Sequence, residues 1–175
     1  MEDSAMLARN ETILKWALYA AASLLFVFVQ GAVLQRLSLF GVIPFVYPLL
    51  AAIPATYEGS VPGTAFALAV GVFCDALLPA PLPCFYTIVF PLAGLCGGLL
   101  SQSALPAGFL CSAAATAAAF VLTGSFQCFL LWINGRGAWS AGLSTMTREL
   151  VVSLPLIFPV TALYRAVHRK IYYNE

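Results

Sequence analysis

Roughly five or six apolar runs follow one another along this chain, each near the about 20 residues an α-helix needs to cross a bilayer's hydrocarbon core. Within hydrocarbon every backbone polar group must be satisfied internally, so runs of this kind fold as helices. Composition agrees. Of 175 residues, 62% are hydrophobic and 9% are charged, whereas soluble domains carry about a quarter charged residues. Mean hydropathy is +0.94. The expected fold is an all-α integral membrane protein of about six transmembrane helices, several kinked or broken by proline. Residues 1–175 form one polytopic domain with a short cytoplasmic segment at 1–12 and a tail at 168–175. A net charge of +1 leaves no basic surface for nucleic acid.

The spans are expected at 13–34, 42–57, 62–78, 84–100, 107–133 and 148–167. Acids precede the first run and no small-residue cleavage site ends a short apolar core, so the first helix reads as retained rather than as a signal peptide. The second run holds Pro44, Pro48 and Pro54 and should be broken or tilted. Pro62 falls in the first turn of the third helix, where a missing N–H costs little. PAPLP stops that helix, and the linker 134–147 reads as interfacial. Arg9, Lys15, Arg165, Arg169 and Lys170 outnumber Arg36, Arg136 and Arg148, so both termini are expected in the cytoplasm.

Chemistry-bearing residues are sparse. The single histidine, His168, is expected in the tail, away from any nucleophile. No glycine-rich phosphate loop occurs. Cys74, Cys84, Cys96, Cys111 and Cys128 make no CxxC and read as buried thiols rather than a disulfide or metal set. No catalytic residue, metal ligand or cofactor is expected.

One stretch stands apart. EGSVPGTAFALAVGVFCDALL carries Glu58 and Asp75 around an uncharged run, with Gly59, Gly63, Ala67 and Gly71 at every fourth position. As one continuous helix it would separate the carboxylates by about 26 Å, with Glu58 near the cytoplasmic face and Asp75 near the outer one. Small residues at this period let another helix approach closely. Asp75 would point into that seam and needs a partner, since a carboxylate within a span is costly. Arg148 is one candidate, and Asp75 either locks helix packing or contacts a ligand or partner. Glu149 reads as an interfacial ion pair with Arg148. Ala17 with Ala21, Gly94 with Gly98, and Ala114 with Ala118 also fit close helix packing.

YEGSVPG, AFALAVGVFCDALL and LAGLCGGLL, after a proline-bearing second span, resemble the rod shape-determining protein MreD family. That family carries a charged residue and glycine in a cytoplasmic turn, then Gly-x-x-x-Asp closing the next helix; Glu58, Gly59, Gly63, Gly71 and Asp75 match. The match covers about 44–100, and PAPLPCFY departs from the family's usual outer turn. The resemblance implies a non-enzymatic scaffold of bacterial elongation in the inner membrane. It would bind MreC and help couple MreB filaments to the synthase RodA and its transpeptidase. The family is similar in fold to the S-components of energy-coupling-factor vitamin transporters, which supply the alternative. Such a protein needs polar groups converging on an outward pocket. Arg36, Asp75, Asn134, Arg136, Trp139, Arg148 and Glu149 are what this chain offers there.

Overall fold

The structure, a computed structural model, describes residues 2–38, 41–79, 82–103, 105–135 and 139–172. Among them it is helical without strands: α1 (Glu2–Ala32), α2 (Tyr47–Glu58), α3 (Ser60–Leu77), α4 (Phe85–Ser103), α5 (Phe109–Ile133) and α6 (Trp139–Tyr172), with a 3-10 turn at Leu34–Arg36 after α1. Five stretches, within α1 and its following turn and within α3 to α6, are long and apolar enough to cross a membrane.

The expected second span takes another form. Only 47–58 is helical, and those 12 residues reach about 18 Å, short of the about 30 Å of hydrocarbon. Tyr47 to Thr56 are all buried. A helix apolar on every side has no face for water and sits at the centre of its bundle. Leu49, Leu50 and Ile53 share the main core with Tyr19, Phe85, Phe90, Phe120, Ile157 and Tyr164.

Non-helical backbone leads into α2, and side chains satisfy it. The Gln30 amide donates to the Pro44 carbonyl at 2.8 Å and accepts from the Val46 N–H at 3.1 Å. The Phe45 N–H donates to Ser153 Oγ at 2.9 Å. Irregular backbone is tolerated at membrane depth when protein covers it in this way. Pro48 falls in the first turn, while Pro54 lies inside α2. Pro91 in α4 and Pro155 and Pro159 in α6 interrupt neither helix.

Glu58 closes α2 rather than opening α3, so the stretch from Glu58 to Asp75 is not one continuous helix. Gly59 separates the two helices at φ +90°, ψ 177°, a conformation open essentially to glycine. The chain reverses there, and a Cβ on Gly63 would collide with Ala55 of α2. α4 completes the unit. A Cβ on Gly71 would lie 2.6 Å from the Tyr86 carbonyl oxygen, and one on Gly94 2.7 Å from the Ala67 methyl. A Cβ on Gly97 would lie 2.7 Å from the Ala52 carbonyl oxygen, and one on Gly98 would strike Ser60. The small-residue stripe of α3 is therefore occupied by neighbours within the same chain.

Other boundaries shift. The interfacial linker expected at 134–147 is largely α6, which begins at Trp139 and runs on through Arg148. The tail expected from residue 168 is helical as far as Tyr172. Ala17 and Ala21 are exposed; α1 turns Tyr19, Ala22, Ser23, Phe26 and Gln30 inward instead. On α5 the fully buried alanines are Ala115 and Ala119, one position beyond the expected pair Ala114 and Ala118. Cys74, Cys111 and Cys128 are buried, but Cys84 is exposed and Cys96 half-buried.

Candidate functional site

Glu58 ends α2, and its side chain is 3% exposed. Burying a lone carboxylate is costly, so it requires cations and donors. It has both. Lys15 of α1 forms an ion pair with Oε2. Tyr19 OH, one turn further along α1, donates to Oε1 at 3.0 Å. His168 Nδ1 of α6 lies 3.1 Å from the same oxygen. The carboxylate thereby joins α1, α2 and α6.

A second layer extends inward from it. Ser23 Oγ donates to the Tyr19 carbonyl at 2.9 Å and lies 2.7 Å from Tyr164 OH. Because the serine's one hydrogen goes to the carbonyl, the Tyr164 hydroxyl is the donor of the second bond. The Tyr19 and Tyr164 rings lie 5.5 Å apart, and the Trp16 ring stacks on Phe66 of α3 at 5.7 Å. Lys15 in α1 and His168 in α6 meet the same residue, so α1 and α6 are joined at that end of the bundle.

Asp75 occupies the opposite end of α3 and is half-buried. Its Oδ1 accepts from the Tyr86 N–H at 3.0 Å. Its Oδ2 accepts from the Thr87 N–H at 2.8 Å and from Thr87 Oγ1 at 2.6 Å. These N–H groups belong to the first turn of α4, where no intrahelical acceptor exists. Asp75 thus acts as an N-cap supplied by a neighbouring helix, its charge facing the positive end of the α4 dipole. The glycine one turn earlier, Gly71, is what lets the α4 backbone come this close.

The expected pairing of Asp75 with Arg148 is not formed among the described residues, nor is the pair Arg148–Glu149. The backbone of α4 already satisfies Asp75. Successive residues on a helix project to different sides, so Arg148 and Glu149 do not face one another. Arg148 instead borders a shallow surface groove with Thr147, Val151 and Val152.

Glu149 turns into a cavity of about 120 Å³ at the Asp75 end, walled by Phe45, Pro48, Tyr86, Phe120, Thr123, Gln127 and Met146. At about 30 Å³ of liquid per molecule, that space has room for about four waters. Of the other outward groups expected to converge, Asn134 bonds back to the Leu130 carbonyl and Trp139 packs near Trp132. Arg136 lies outside the described residues. Among the described residues no group of His, Cys, Asp and Glu could hold a metal ion.

The residues around Glu58 escaped the sequence reading, which set His168 in a solvent tail. A signal existed. Lys15, Tyr19 and Ser23 recur at four-residue spacing on α1, as do Tyr164 and His168 on α6. Polar groups repeating at that interval within apolar helices mark an inward stripe. Compared with known proteins, the chain matches no family model, no curated protein and no solved structure.

Proposed function

We propose that this chain is a non-enzymatic membrane scaffold of the bacterial cell-elongation machinery, a protein of the MreD type. It sits in the inner membrane with both termini in the cytoplasm and binds MreC. Through that complex it helps couple MreB filaments to RodA and its transpeptidase. One observation carries the reading: each motif residue serves to join helices of the bundle or to let them approach. Glu58 ties three helices together, Gly59 turns the chain, Gly63 and Gly71 admit neighbouring backbones, and Asp75 caps α4. A bundle whose Glu58 and Asp75 carboxylates are satisfied internally offers partners its outer helix faces, where Phe28, Val61 and Leu110 are among the most exposed side chains.

The Glu149 cavity favours a second reading, the S-component of an energy-coupling-factor transporter, because it sets a carboxylate among aromatic walls at the outward end. Mild-detergent purification of the tagged protein from its native membrane, with mass spectrometry of what accompanies it, separates the two. Recovery of MreC and cell-wall synthases supports the scaffold. A transmembrane transporter subunit with two ATPases in its place would overturn it.

A further inference from the structure

A groove of about 340 Å³ runs between α5 and α6 at the Glu58 end of the bundle. Phe109, Phe158, Thr161, Arg165 and Arg169 line it, and among the described residues no acidic one does. Thr161, Arg165 and Arg169 recur every fourth residue, so they share one side of α6. Arg165 forms no ion pair among the described residues. Thr161 is 5% exposed, and its hydroxyl has no hydrogen-bond partner among them. The N terminus of α5 opens beside the groove without a side-chain cap, which leaves first-turn N–H groups and the positive dipole end available to an anion. Deeper along α6, by about 10 Å at the helical rise from Arg165, lies Phe158. It is 69% exposed and packs edge-on against Phe109 at 6.3 Å.

From this arrangement we infer a binding site for an anionic phospholipid. The phosphate is held by Arg165 and Arg169 at the helix ends, and an acyl chain lies on Phe158 and Phe109. The pairing of cations at one level with an exposed aromatic wall one to two turns deeper fits an amphiphile. A free anion would use only the cationic end. Basic pockets between helices at a membrane face recognise lipid headgroups through this chemistry. The inference requires that the chain span a membrane, and it is independent of the scaffold reading.

The test is native mass spectrometry of the full-length protein in mild detergent, offered phosphatidylglycerol and phosphatidylcholine with identical acyl chains. Wild type is expected to retain phosphatidylglycerol preferentially. Each arginine near the surface contributes about fivefold, so Arg165→Gln with Arg169→Gln should lower that retention about 25-fold. Arg36→Gln, at the other end of the bundle, should leave it unchanged. Phe158→Ala should weaken retention without altering the response to inorganic phosphate. Matched thermal unfolding of each variant separates lost binding from lost fold. Should the double glutamine variant not fold, Arg165→Lys with Arg169→Lys replaces it, with partial retention expected. Equal retention of both lipids by wild type would overturn the site, as would unchanged retention in the double variant. Displacement by inorganic phosphate with Phe158→Ala silent would overturn the lipid in favour of a simple anion. Loss of a dimer in the arginine variant would assign the groove to a second copy of the chain.

Discussion

Thr87 gives both its N–H and its hydroxyl to one oxygen of Asp75, at 2.8 and 2.6 Å, so the last full turn of α3 and the first turn of α4 share a single anchor. The sharing explains how a carboxylate can sit near the end of an apolar span without a cation: three donors and a helix dipole compensate its charge.

Substitution at this anchor should follow acceptor capacity. Asp75→Asn keeps one acceptor oxygen for the Thr87 N–H and hydroxyl but sets its NH2 against the Tyr86 N–H, so a loss of about 1 kcal/mol is expected. Asp75→Leu leaves buried donors unsatisfied and should cost about 1–3 kcal/mol or more. Unfolding by denaturing detergent would order the two. Equal losses would mean that charge, rather than hydrogen bonding, is what α4 needs.

Lys15→Ala is expected to be the most damaging single change in α1. It removes the cation paired with Oε2 of the buried Glu58 and leaves the carboxylate only Tyr19 and His168 on its other oxygen, a loss of about 3 kcal/mol by analogy with other broken buried pairs. Adding Glu58→Gln should recover part of that loss, because the uncompensated charge is then gone. A double-mutant cycle in which the two changes simply add would rule out the coupling.

At Gly71 even one methyl group should be too many. The obstacle is the Tyr86 carbonyl rather than a flexible side chain, so Gly71→Ala must push α4 away and loosen the Asp75 cap. A destabilisation of about 1–3 kcal/mol is expected, with Gly71→Leu preventing stable folding. The effect belongs to the chain itself and should appear in the purified protein without any partner. Wild-type stability of Gly71→Ala would refute the close approach.

How far the sequence revealed these relationships depends on their range. Pro62 in the first turn of α3, the stop after Leu77 and the small-residue stripe were all legible, because each is a local pattern. The extent of α2 was only partly legible: the prolines marked 42–57 as broken or tilted, but not that Gln30 and Ser153, from distant helices, hold its first residues outside the helix. Arg148 suggested a membrane boundary, yet a long cationic side chain can reach outward from within a helix, and α6 continues past it. The partners of Glu58, Tyr19, Lys15 and His168, lie 39, 43 and 110 residues away, beyond any local periodicity, though the polar stripes on α1 and α6 signalled that something faces them.

Cys84 supplies a test of sidedness. It is the exposed cysteine, lying in the turn before α4 at the end away from Glu58, while Cys74, Cys111 and Cys128 are buried. If the termini are cytoplasmic, a membrane-impermeant maleimide should label intact spheroplasts, and Cys84→Ser should abolish most of the signal. Labelling only after the membrane is opened would invert the proposed orientation.

The shortness of α2 also bears on how the protein is made. A translocon sorts emerging segments by length and apolarity, and a helix of 12 residues falls below what it hands to lipid as an independent span. An assay of 42–58 fused alone behind a reporter should show poor integration, and the same segment followed by α3 should integrate well. The Gly59 turn then makes α2 a passenger of α3, so the centre of the bundle is populated only once the helices that will surround it have begun to arrive.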